Sequence, residues 1–274
     1  MFDRMVALAA AAVLATVGVA SHAADNAYGG YLTPGELDAT SVIEPAPRPG
    51  DPRYEADRKI FRATRRLVGS PRWELATNDA DMSVPAMLRN FSCAVGVELT
   101  PANAPMLVAV VRRAGFDTSY QTRIAKEAHK RQRPFTIDKG PVCQPQSELY
   151  EKKAQRMSYD YPSGHTGWGW TWTLVLSSIA PDRAQQILER GRVYGDSRFV
   201  CGAHNESAVE AGMLLASATM VLVATKSEYQ TDLAAAREEF DALRGGAPPA
   251  QNCEAESALL SQRVMPKLET KSRR

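Results

Sequence analysis

The chain has 274 residues, 44% hydrophobic and 23% charged, with a formal net charge of +2 at neutral pH. That near-balance removes the general electrostatic argument for a nucleic-acid partner, so any basic function must come from a local cluster. The length fits one domain or at most two and leaves ample chain for a sizeable core.

Residues 6–20 form an unbroken apolar run after MFDRM, followed by Ser21-His22-Ala23, a small-x-small pattern. We read 1–23 as a signal peptide cleaved after Ala23, because the run falls short of the roughly 20 residues a membrane helix needs. The mature protein is then periplasmic or secreted. The most apolar later stretch, 211–224, is bounded by Glu210 and Lys226 and reads as a core helix, so no membrane span is expected after cleavage.

Residues 24–53 are rich in Gly and Pro, end in Pro45-Ala46-Pro47-Arg48-Pro49-Gly50-Asp51-Pro52, and read as an irregular arm. From Tyr54 the apolar spacing is helical, with few β-branched alternating runs. The pattern predicts helices over 102–114, 117–133, 165–180, 182–198 and 204–226, bounded at Pro101, Gly115, Pro134, Pro181 and Gly202. The expected fold is all-α, a single helical domain over 54–244. A polar tail over 245–274 opens with Gly245-Gly246-Ala247-Pro248-Pro249 and is expected to be disordered except where Cys253 ties it down. The four cysteines, Cys93, Cys143, Cys201 and Cys253, would meet an oxidising compartment after export. Two disulfides are expected, with all three pairings open, and no spacing suggests zinc.

Three clusters carry potential chemistry. Lys126 and Arg133, followed by Pro134, share one face of the helix expected over 117–133, since seven residues turn through about 700° and rise roughly 10 Å. Pro162-Ser163-Gly164-His165 precedes a Trp-rich helix, whose free N–H groups make an anion site; alone, Ser163 reads as an N-cap. Ser197-Arg198 precedes Gly202 and His204, with Gly202 breaking the helix. A helix over 165–180, a turn at Pro181 and a return helix over 182–198 bring Arg198 and His204 back beside His165. Such a set can hold the non-bridging oxygens of a phosphoryl group while one imidazole attacks and the other protonates the leaving oxygen.

The ordered motifs Lys126-x6-Arg133-Pro134, Pro162-Ser163-Gly164-His165 and Ser197-Arg198-x5-His204 resemble those of the class A bacterial nonspecific acid phosphatases. These belong to the type 2 phosphatidic acid phosphatase and vanadium haloperoxidase superfamily. The likeness extends over about 51–243, including Arg72-Trp73, Asp79-Ala80 and Phe91-Ser92-Cys93-Ala94. The resemblance implies an all-α bundle that hydrolyses phosphate monoesters, such as nucleotides or sugar phosphates, without metal or cofactor. It implies phosphate binding by Lys126, Arg133, Ser163, the Gly164 amide and Arg198. His204 would be the nucleophile forming a phosphohistidine, and His165 the general acid that later activates water. The expected partners are small-molecule phosphate monoesters and no nucleic acid; a homo-oligomer is allowed.

One position departs from the family pattern. The aspartate expected four residues after the nucleophile is Ala208, so the group that would fix the imidazole tautomer is absent there. Glu206 and Glu210 project from other sides of a helix. By analogy with a lost triad acid the deficit approaches about 10⁴ in rate, and an Ala208→Asp change is expected to raise kcat. His129, at i+3 from Lys126, is expected to pack rather than face the site. The alternatives are an oxyanion-binding pseudoenzyme and a vanadate-dependent haloperoxidase.

Overall fold

The computed structural model describes residues 29–267, and the expected signal peptide lies outside them. Among the described residues the protein is a helical bundle: α1 (Ala39–Val42), α2 (Pro52–Thr64), α3 (Pro71–Asn78), α4 (Val84–Val95), α5 (Pro105–His129), α6 (Gly164–Ile179), α7 (Ala184–Cys201), α8 (Glu206–Val223), α9 (Ser227–Leu243) and α10 (Cys253–Leu260). One two-residue antiparallel pair, Tyr150–Glu151 with Arg156–Met157, is the only sheet described.

Helix α6 is the central element and packs on α5, α7 and α8. Trp172, Val175, Leu176 and Ile179 are buried along it in one apolar cluster with Phe91, Leu107, Val110 and Tyr194. Small residues let its neighbours close in. A Cβ on Gly115 would lie 2.0 Å from Trp168 Cζ3, so this glycine makes room for an indole. It does not divide the two helices expected over 102–114 and 117–133; α5 runs through it unbroken. The apolar helix α8 is long enough to cross a membrane by composition, yet it packs into the bundle against α5, α6 and α7.

Of the arm expected over 24–53, residues 29–51 are irregular apart from α1, and they are anchored to the bundle, while Pro52 and Arg53 already belong to α2. Tyr31 N and Leu32 N donate to the Asp117 carboxylate at 2.7 and 3.2 Å, and both side chains are buried. The tail differs from expectation. Within it, Cys253–Leu260 form α10, pinned by a Cys93–Cys253 disulfide and by Glu256 on the buried Arg190 at 2.8 Å. The second disulfide joins Cys143 to Cys201, which resolves the pairing.

Candidate active site

The loop between α7 and α8 places His204. Gly202 takes φ +82° and ends α7, and the amides of Ala203 and His204 fold back onto the Arg198 carbonyl at 3.1 and 3.3 Å. This left-handed cap orders His204 over the last turn of α7, two residues before α8 begins rather than inside it. At the same end of the bundle, Ser163 caps α6, its hydroxyl accepting from Thr166 N at 3.2 Å and Thr166 Oγ1 at 2.9 Å.

A cleft of about 310 Å³ is lined by Lys126, Arg133, Gly164, His165 and His204, with Met82, Thr122, Ser158 and Glu151 among the rest of its wall. Five of the residues singled out from the sequence therefore share one cleft. Ser163 and Arg198 are fully buried behind it and are not part of its lining. Arg198 still acts electrostatically on both imidazoles.

Arg133 reaches the cleft by a route other than the expected helical stripe. Lys130 adopts φ +49° and ends α5, so Arg133 lies on extended chain beyond it. Its Nε donates to Ser158 O at 2.8 Å and its Nη1 to Ala203 O at 2.7 Å. Nη1 also lies 3.1 Å from His204 Nε2. The Lys126 ammonium donates to Tyr159 O. His129 packs away from the cleft, edge-on to Tyr161, with its Nδ1 3.4 Å from Ala46 N.

The histidines have opposite commitments. His165 Nε2 lies 2.9 Å from the Ala80 carbonyl, leaving Nδ1 as its uncommitted nitrogen. Ala80 is held by the adjacent Asp79, whose carboxylate is fixed by Arg190 at 2.5 Å and Ser197 Oγ at 2.6 Å; Arg72 Nη1 meets that hydroxyl at 3.0 Å. The Arg72 and Asp79-Ala80 positions thus orient an imidazole. His204 instead commits Nδ1, 2.8 Å from Asp160 O and 3.0 Å from Asp160 Oδ1. Asp160 is the residue that sequence reasoning missed. Its only signal was adjacency to Tyr161-Pro162-Ser163-Gly164-His165.

Burial and mutual repulsion of cations set the protonation states. Both imidazoles are pushed well below the usual histidine range, first by burial; Arg198 adds to this at His165, and Arg133, Lys126 and Arg198 at His204. Enclosure of the Lys126 ammonium, with the Arg133 charge beside it, lowers its pKa to about 7. Arg198 donates through Nη2 to Gln144 Oε1, while its buried Nε and Nη1 have no hydrogen-bond partner among the described residues. Gln144 is set on Arg198 by its neighbour Cys143, disulfide-bonded to Cys201 and donating its amide to the Cys201 carbonyl at 3.0 Å. A cationic floor with uncommitted donors, faced by two neutral imidazoles, suits an oxyanion rather than a cation.

The profile of the PAP2 superfamily matches residues 105–232, a span that contains every cleft residue named from the sequence motifs. The chain is 36% identical over 211 residues to an acid phosphatase of Zymomonas mobilis, covering 77% of this chain and 78% of that protein. It is 35% identical over 209 residues to a non-specific acid phosphatase of Salmonella typhimurium, covering 75% and 81%. It is 34% identical over 212 residues to a non-specific acid phosphatase of Providencia stuartii, covering 76% and 83%. The chain belongs to the PAP2 superfamily and, within it, to the bacterial non-specific acid phosphatases.

Proposed function

We propose that the protein, an acid phosphatase by family, is exported and hydrolyses small phosphate monoesters through a phosphohistidine on His204. The observation that carries this reading is the pair of oppositely committed imidazoles at a cationic cleft. His204 has Nδ1 held by two acceptors and Nε2 turned to Arg133, whereas His165 has Nε2 held by a carbonyl. The apolar run over 6–20 and two disulfides support passage to an oxidising compartment.

In this reading Lys126, Arg133, Arg198 and the Gly164 amide take the non-bridging oxygens. Arg133 gives up its contact with His204 Nε2 as it binds one of them. The Nε2 lone pair attacks phosphorus and the ester P–O bond breaks; His165, neutral in the free cleft, takes up a proton on Nδ1 when the bound phosphoryl anion offsets the surrounding cations, and gives that proton to the leaving oxygen. Neutral His165 then takes a proton from water, whose oxygen attacks phosphorus and breaks the P–N bond, releasing phosphate. The test is rapid quenching of the protein with a monoester labelled in phosphorus, in the presence of chelator. A label stable to alkali, labile to acid and mapping to residue 204 is expected; turnover without any such label overturns the mechanism.

The acidic working range follows from the same burial. His204 stays neutral, and so nucleophilic, well into acid because its pKa is lowered. Lys126 binds phosphate only as a cation, and with a pKa of about 7 it loses that charge as pH rises. Above pH 7, kcat/KM is therefore expected to fall by about tenfold per pH unit, since this ratio reports free-enzyme ionisations. In a Lys126→Arg variant the falling limb should move to higher pH, because guanidinium keeps its charge. A profile level through pH 9 would contradict the assignment.

A further inference from the structure

Asp160 stands where no family motif places a functional carboxylate, yet it makes every hydrogen bond that the His204 Nδ1 has. The nitrogen lies 2.8 Å from the Asp160 carbonyl and 3.0 Å from Oδ1. Two acceptors on one nitrogen require that nitrogen to carry the proton. Nε2, facing the Arg133 donor at 3.1 Å, then holds the lone pair.

The carboxylate is itself fixed. Oδ1 accepts from Asn205 N at 3.1 Å and Oδ2 from Asn205 Nδ2 at 2.8 Å. Arg131 Nη1 stands 3.7 Å from Oδ2, and the Asp160 amide donates to the Arg131 carbonyl at 2.8 Å. Arg131 is clamped in turn by Asp57 Oδ2 and Ser207 Oγ, both at 2.7 Å, and Asp57 holds Ser207 N at 3.0 Å. A buried relay thus runs from α2 through Arg131, just past the end of α5, to the imidazole. Burial pushes the Asp160 carboxyl up, while Arg131, Asn205 and Arg133 favour its ionised form.

The position that the family pattern leaves for such a group is closed. Ala208 is fully buried among Ala125, Tyr161, Ala211 and Leu215, and its carbonyl accepts from Ser163 N at 2.8 Å. The flanking acids are engaged elsewhere: Glu210 pairs with Arg53 at 2.6 Å, and the Glu206 carboxyl is raised to about 8 by burial and by Glu210.

We infer that Asp160 is the positioning residue for His204 in this chain, having taken over from the segment before Pro162 the role that an aspartate at 208 would fill. The inference rests on His204 being the nucleophile. When Nε2 bonds to phosphorus the imidazole becomes cationic, and the Asp160 carboxylate stabilises that charge while the Asp160 carbonyl helps hold the tautomer. The carboxylate adds charge to an orientation that the backbone already supports.

Asp160→Asn separates charge from shape, since the amide oxygen can still accept from Nδ1–H and Asn205 N. Phosphoenzyme formation, followed by rapid quench, is expected to slow by about 10²-fold, with KM and vanadate affinity nearly unchanged. Formation at the wild-type rate in a folded Asp160→Asn protein overturns the inference. Ala208→Asp in the otherwise natural chain is expected not to raise kcat, because the role is already filled and the new carboxylate enters an apolar pocket. A rise in kcat from that change overturns the inference even if Asp160→Asn fails to fold. Absence of any label on His204 in the natural protein would instead overturn the nucleophile assignment, so the two failures are distinguishable.

Discussion

His204→Ala is expected to lower kcat on the order of 10⁵-fold while leaving phosphate and vanadate affinity close to the natural value, the pattern of a lost covalent nucleophile. The physical reason lies in the division of labour in the cleft. In the proposed reading Lys126, Arg133 and Arg198 supply the binding charge from α5, the chain beyond it and α7, and none of them depends on the imidazole for its place. Arg133 is held by Ser158 O and Ala203 O, and Arg198 by Gln144. Removing the ring also removes one donor's partner, so Arg133 Nη1 becomes freer to meet a phosphate oxygen. Added imidazole should restore part of the turnover by attacking phosphorus in place of the side chain and leaving as the N-phosphoryl compound. Steady-state kinetics with and without imidazole, alongside calorimetric titration with vanadate, check both halves. A variant retaining activity within about tenfold would remove His204 from the chemistry.

The helical class and the return of α7 toward the start of α6 were legible because Pro181 and Gly202 act locally: each forbids continuation for steric reasons that context does not alter. Gly115 was misread because a glycine that breaks a helix and one that admits a neighbour are identical in sequence; only Trp168, fifty-three residues away in the chain, shows which it is. Lys130 was misread for the opposite reason, since an exposed lysine rarely takes positive φ and nothing local announced the end of α5. The i to i+7 stripe joining Lys126 to Arg133 therefore does not exist, although both side chains reach the cleft.

Asp160 escaped because the search for a replacement carboxylate followed the helix after His204. Helical periodicity is a rule about neighbours on one element, and the actual partner enters from a loop forty-four residues earlier in the chain. It could have been suspected from its place directly before Tyr161-Pro162, in the segment that also delivers Ser163 and His165. Arg72 and Asp79 illustrate the same limit: the sequence showed a likeness at these positions, while their service to His165 through Ser197 and the Ala80 carbonyl is a tertiary fact.

Arg198→Met is expected to reduce kcat/KM by about 10²- to 10³-fold, the usual cost of deleting an oxyanion donor, and at the same time to leave the unliganded protein as stable as before or more so. Arg198 is 0% exposed, and burial lowers its guanidinium to about 10. Its side chain has one hydrogen bond, to the neutral Gln144, and two unpartnered nitrogens among the described residues. A desolvated cation so poorly satisfied opposes folding, and an unbranched apolar side chain of similar length removes that penalty. In the proposed reading the missing partners are the oxygens of a bound phosphoryl group, so that the strain on folding becomes affinity for the ligand. Urea unfolding with and without phosphate reads this directly. At one hundred times its Kd, phosphate should stabilise the natural protein by about 2.7 kcal/mol, and the same concentration should do little for Arg198→Met. Arg198→Lys should recover the charge but little of the activity, because one ammonium cannot reproduce the fork that meets Gln144 and the phosphoryl oxygens together. Equal stabilisation of the natural and Met forms by phosphate would show that Arg198 faces no ligand and serves the fold alone.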